Sequence, residues 1–247
     1  TRGDELFAAL RRLDARGGGV AGAIGELAKA VAMSSKAAVL NDRAAYLDLA
    51  SQATQGVTRR LAYAAVLISD GNVEGAWDAA KSGPGREALV QAISIVTDPT
   101  IRVQFQTKLV DLAGSASGSM LRAVQSALPL MGVAHAEENF ALLSKHVVEG
   151  RERASAANAI MQIPRAAWKK ELAAGVCEAV LAYAKTISAE DRTKQSFVEL
   201  NQFGVEMATL AESAGVRKEL RRLGVPVFVV KTVPEQMRYD VQRIVVE

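Results

Sequence analysis

The residues of this 247-residue chain whose types and spacing bear on chemistry are two histidines, one cysteine and three short polar runs. His135 stands beside a predicted helix start and His146 follows Leu142-Leu143-Ser144-Lys145. Neither has a cysteine or a carboxylate pattern at metal-ligand spacing, so both read as surface or helix-cap histidines. Cys177, in AGVCEAVLAY, lies beside the apolar stripe of a predicted helix and reads as a small buried hydrophobe. A nucleophilic thiolate needs a neighbouring base, and no motif supplies one. A lone cysteine excludes an intrachain disulfide and a Cys-based metal cluster, and it leaves the redox compartment unread.

The stretch GSASGS, Gly114 to Ser119, would present backbone N–H groups to a phosphate if a helix begins there. It lacks the lysine and spacing of a phosphate-binding loop, and small polar residues are also ordinary turn and N-cap chemistry. Glu137-Glu138 and Glu190-Asp191 are adjacent carboxylates. Neighbours on a helix do not face each other, so neither pair converges on one substrate atom, and acidic residues near a helix start favour its dipole. No catalytic, cofactor-binding or metal residue is assigned, and the segment is read as non-enzymatic.

The elements that position these residues follow from composition and periodicity. Hydrophobic residues make up 49% of the chain, charged residues 23% and aromatics 5%, a balance that favours packed helices over disorder. The net charge of +3, from 30 basic and 27 acidic residues, comes with no basic block, so nucleic acid is not an expected partner. The longest apolar run, Leu61 to Ile68, falls far short of the roughly 20 residues of a membrane helix. The chain opens on Thr1 with no leader-like segment, which leaves a removed or upstream signal open.

Apolar residues recur at helical spacing at Val57, Leu61, Ala64 and Ile68, at Ala136, Phe140, Leu143 and Val147, and at Leu172, Val176, Val180, Tyr183 and Ile187. Breakers at Gly71, Pro84, Pro99, Gly114, Gly118, Gly132, Gly150 and Pro164 divide the chain into short helices, with the three prolines at tolerated first-turn positions. Up to four helices are predicted ahead of Asp70, around 4–16, 20–33, 41–53 and 55–69.

Four apolar segments ending at breakers, AAVLISDG, AISIVTDP, ALPLMG and AIMQIPR, are each followed by a predicted helix with one large aromatic: Trp77, Phe105, Phe140 and Trp168. That period suits a two-helix unit whose aromatic packs between neighbours. The expected fold is mainly α, an α-solenoid over 1–224 in which stacked pairs bury one core. The tetratricopeptide and ankyrin signatures are absent, and the units resemble HEAT or armadillo-type repeats.

Residues 225–247 differ from the rest. Val225 to Val233 and Val241 to Glu247 read as two short strands, which need further strands to cover their apolar faces. Gln236-Met237, Tyr239-Asp240, Ile244 and Val246 resemble, in order and spacing, the first strands of azurin-like cupredoxins. Together with ESAGVRKELRRLG and the segment Ile163 to Arg192, they resemble large multidomain bacterial redox proteins. In those, a sugar-dehydrogenase-like propeller, HEAT-like repeats, a cupredoxin and often a haem c module share one chain.

The resemblance implies that 225–247 begins a cupredoxin-like β-domain continuing beyond Glu247. It implies a scaffold that spaces and presents a blue-copper module, with neighbouring redox domains as partners and a periplasmic or extracellular location. Type 1 copper would lie in the downstream domain and haem c elsewhere, with no cofactor in this segment: Met237 matches a non-ligand position, and neither histidine nor Cys177 belongs to the β-segment. The alternative is a free-standing adaptor that binds a protein partner on the solenoid's concave face.

Overall fold

The computed structural model describes residues 3–17, 21–34, 39, 42–81 and 83–224, and among these it is mostly α-helical with no strand. The two strands expected within 225–247, and with them the cupredoxin-like segment, lie outside the described residues. The helices are α1 (Gly3–Ala15), α2 (Ala21–Ala32), α3 (Arg43–Gln52), α4 (Gly56–Asp70), α5 (Glu74–Ala79), α6 (Gly83–Ala92) and α7 (Pro99–Arg102). They continue as α8 (Gln106–Ser115), α9 (Gly118–Ala127), α10 (Ala136–Glu149), α11 (Arg153–Ile160), α12 (Lys170–Thr186), α13 (Gln195–Leu210) and α14 (Ala214–Leu223). The first four start and stop within a residue or two of the predicted bounds.

Local chemistry explains the punctuation. Asp98 caps α7, its carboxylate accepting from the Thr100 N–H at 2.8 Å, and Pro99 fills the first helical position, where its missing N–H costs nothing. Gly71 and Gly150 close α4 and α10 in the left-handed conformation, at φ 66° and 77°, which a Cβ disfavours. Pro164 precedes a 3-10 turn, Arg165–Ala167, rather than opening an α-helix.

The helices pack into two sets. α4, α6, α9, α11 and α13 touch one another in that order, and α10, α12 and α14 do the same beside them. One continuous cluster of buried apolar side chains runs from Leu6 to Leu223. α4 lies deepest: every residue from Leu61 to Leu67 is buried, as a helix surrounded on all sides requires.

The recurring aromatics meet in pairs. Trp77 meets Phe105 edge-on with ring centroids 6.2 Å apart, and Phe140 stacks on Trp168 at 5.9 Å. Two of the four do not sit inside α-helices as expected. Phe105 ends a 3-10 turn, Val103–Phe105, and Trp168 follows the turn at Arg165–Ala167, where its indole N–H donates to the Ile163 carbonyl at 3.1 Å. Tyr183, expected on the apolar stripe of α12, is exposed, because the ring lies under the Arg153 guanidinium at 4.7 Å rather than in the core.

A second repeated device joins the helices. Arg59, Arg86 and Arg153, at or near the starts of α4, α6 and α11, each fold back so that Nε donates to the carbonyl six residues upstream: Ala53 at 2.7 Å, Ala80 at 2.5 Å and Val147 at 2.9 Å. Those carbonyls close α3, α5 and α10, whose last C=O groups have no helical partner. Between α8 and α9 no arginine occupies that place. There Arg151, from the loop after α10, donates Nη2 to the carbonyls of Ala116 at 2.9 Å and Gly114 at 3.4 Å.

Candidate functional site: a polar groove along one helix row

The row α4, α6, α9, α11 and α13 carries a groove in two parts. The first, of about 470 Å³, lies between α4, α6 and α9 and is lined by Arg60, Glu87, Gln91, Ser94, Arg122 and Ser126 among others. The second, of about 500 Å³, lies between α9, α11, α12 and α13, with Glu152, Tyr183, Asp191, Lys194 and Phe197 on its walls. Arg122 lines both and joins them.

Short side chains open the groove, because Ser94, Ala123, Ser126 and Ser155 leave room where the helices cross. Its charges are of both signs and largely paired within it. Arg122 reaches Glu152 at 3.0 Å, Ser119 donates to Glu87 at 2.7 Å, and Lys194 meets Asp191 at 2.7 Å. The lining offers guanidinium, amide and hydroxyl donors beside carboxylate acceptors, a set that suits the backbone and polar side chains of an extended polypeptide.

The residues singled out in the sequence are scattered. His135 caps α10, half-buried, with Nδ1 at 3.3 Å from the Glu138 carboxylate. Glu137 pairs with Lys169 at 3.0 Å, and Glu138 also accepts from Gln106 at 3.1 Å. Asp191 opens a 3-10 turn, where its carboxylate meets Lys194 and takes a hydrogen bond from the Ser188 hydroxyl at 2.9 Å. Cys177 is fully buried in α12 with its thiol 3.1 Å from the Ala174 carbonyl, and burial pushes its pKa up, away from thiolate.

His146 corrects the expectation of a surface or cap histidine. It is 1% exposed, inside the joint between α9, α10 and the 114–116 loop. Nδ1 lies 3.3 Å from Gln125 Nε2, and Nε2 lies 3.3 Å from Arg151 Nη1. Burial pushes its pKa down, and the Arg151 cation acts in the same direction. The GSASGS loop is organised through its carbonyls, which accept from Arg151, while the Ser117 side chain at the N-cap of α9 makes no capping bond.

Sequence reasoning passed over Arg59, Arg86, Arg153, Gln125 and Arg151. The signal for two of them is a Gly-x-x-Arg opening shared by GVTR and GPGR, at Gly56 to Arg59 and Gly83 to Arg86.

No cluster of three or more His, Cys, Asp or Glu side chains at metal-binding distance occurs among the described residues, and none of the helices described is long and apolar enough to cross a membrane. No protein-family model matches the chain, and comparison with curated proteins and with solved structures gives no match.

Proposed function

We propose that residues 1–224 form an α-solenoid of HEAT/armadillo-like helical pairs that serves as a non-catalytic scaffold. In this reading it spaces and presents a cupredoxin-like electron-transfer domain, begun by 225–247, within an exported multidomain redox protein. The observation that carries the scaffold is the unbroken row α4, α6, α9, α11 and α13 over one continuous core, with helix ends tied by arginine. Stacked units of this kind transmit position along their length, each touching mainly its neighbours. The cupredoxin part rests on the order of Gln236-Met237, Tyr239-Asp240, Ile244 and Val246.

The test is to express this chain with about a hundred further encoded residues, the size of an ordinary small β-domain, and add Cu(II). A type 1 site gives intense visible thiolate-to-copper absorption. The band is expected from the extended protein and not from the 247-residue chain. A colourless extended protein, or a reading frame that stops at Glu247, overturns the copper assignment.

The groove through Arg122 favours a second reading, a helical adaptor that holds an extended segment of a partner protein along this row. Its test is retention of a partner by the 247-residue chain and loss of that partner on Arg122→Glu, a change at a partly exposed position.

A further inference from the structure

His146 is a buried titratable group to which the scaffold reading gives no role, and its surroundings are unusual for an imidazole. Both side chains that face it, Gln125 through Nε2 and Arg151 through Nη1, present N–H donors. A neutral imidazole has one acceptor nitrogen, so it satisfies one of them. An imidazolium has none. The Oε1 of Gln125, itself fully buried, has no hydrogen-bond partner. The same residues tie two loops together: Gln125 Nε2 also donates to the Arg151 carbonyl at 3.0 Å, and Arg151 Nη2 holds the Ala116 carbonyl at 2.9 Å. The loop after α10 carries backbone strain as well, since Glu152 sits at φ 46° and is drawn to Arg122.

We propose that His146 is a proton-operated latch on the joint between the α8–α9 and α10–α11 helix pairs: a solvent proton taken up by its imidazole expels the Arg151 guanidinium and frees the 114–116 loop. The charged groups that bear on the ring are Arg151, Glu149 and Lys145; Arg151 and Lys145 oppose the added charge, and Glu149 favours it. α9 contributes the neutral Gln125 and the 114–116 loop contributes carbonyls. Arg151 is part-buried, whereas the imidazole is enclosed. In the neutral ring Nδ1 accepts from Gln125 and Nε2 carries the hydrogen, so the added proton lands on Nδ1; the charge of the imidazolium drives the Arg151 cation out, and a half-turn of the Gln125 amide offers Oε1 to the new Nδ1–H, which gives that orphan oxygen a partner. The same turn withdraws Nε2 from the Arg151 carbonyl, so the bonds across the joint break together. The helix junctions on either side keep their own arginine ties, and the two helix pairs are freed to move against each other.

The test is hydrogen exchange of the whole chain, corrected for intrinsic rates, between about pH 7.5 and about pH 5, the window in which histidines titrate. In the wild type, protection at Ala116 and Arg151, whose N–H groups donate to Leu112 and His146 carbonyls, should fall by about tenfold per pH unit below the ordinary histidine range, as opening linked to one proton requires. Amides in the middle of α13 should keep theirs, and His146→Gln should remove the pH dependence at Ala116 and Arg151. Should His146→Gln fail to fold, NMR of the wild type replaces it: the His146 ring nitrogens and the Ala116 amide should titrate with one midpoint. Pairs of different midpoints, unchanged protection in the wild type, equal dependence in His146→Gln, or a parallel loss throughout α13 would each overturn the latch.

Discussion

The Nε of Arg153 lies 2.9 Å from the carbonyl oxygen of Val147, the residue six places upstream across the turn that joins α10 to α11. Arg59 with Ala53 and Arg86 with Ala80 make the same link, so at each of these three junctions one side chain closes the preceding helix and restrains the direction in which the next one leaves. Arg86 does more, since its guanidinium also covers the Trp77 ring at 3.6 Å. The charged donor makes this a stronger bond than an amide would.

Arg153→Met is expected to lower stability by about 1.5–3 kcal/mol, the range for a hydrogen bond to a charged group. Arg122→Met, which breaks the exposed pair with Glu152, should lose less than about 1 kcal/mol. Urea unfolding measures both, and the midpoint should move with an unchanged slope. Equal losses in the two variants would remove the special standing of the backbone tie.

Arg43 grips Asp70 through two bonds, Nε to Oδ1 at 2.5 Å and Nη2 to Oδ2 at 2.7 Å, and so joins the start of α3 to the end of α4. A Cβ added at Gly75 would stand 2.5 Å from Arg43 Nη2. Gly75→Ala should therefore push the guanidinium off its carboxylate, at a cost of about 1–2 kcal/mol after allowance for the exposed half of the pair. In an Arg43→Ala background the same glycine change should cost much less, and additive losses in the double variant would contradict the geometry.

Gly204 in α13 marks a close crossing of three helices. A Cβ there would meet Val180 Cγ1 of α12 at 2.6 Å and Leu220 Cδ1 of α14 at 3.1 Å. Gly204→Ala is expected to destabilise by about 1–3 kcal/mol through overpacking. Val180→Ala added to it should recover part of that loss, which thermal unfolding of the pair and of each single variant would read. No recovery would mean that backbone movement, rather than this contact, sets the cost.

The overall stability should also depend on pH through His146. Its folded pKa lies below the ordinary value of 6.5, so between the two values the unfolded chain binds more protons than the folded one. Stability rises with pH in that window: the contribution is complete above 6.5 and is lost as pH falls through the folded value. His146→Gln should flatten this slope in urea titrations below about pH 6.5, while leaving the carboxylate-driven loss at more acid pH in place. A slope that survives the substitution would assign the effect to other groups.

What the sequence by itself determined is the helical alphabet. Apolar spacing located α1 to α4 almost to the residue, and Gly71 and Gly150 stopped helices where a left-handed residue was needed. Trp77, Phe105, Phe140 and Trp168 recur along the sequence, and packing brings them together as two pairs, Trp77 with Phe105 and Phe140 with Trp168. These are local properties, carried by a few adjacent residues.

Only the tertiary structure decided which faces are covered twice. His146 follows Leu143 and precedes Val147 on α10, and periodicity places it at the edge of the stripe; it is buried because the 114–116 loop, through Arg151, and α9, through Gln125, close over that edge. Tyr183 went the other way, left at the surface under Arg153. The groove through Arg122 draws its walls from α4, α6, α9, α11, α12 and α13, residues far apart in the chain whose side chains meet only after the helices have packed. A stripe read from sequence gives the direction of a face, but its width is set by how many neighbours cover it, and that depends on long-range packing.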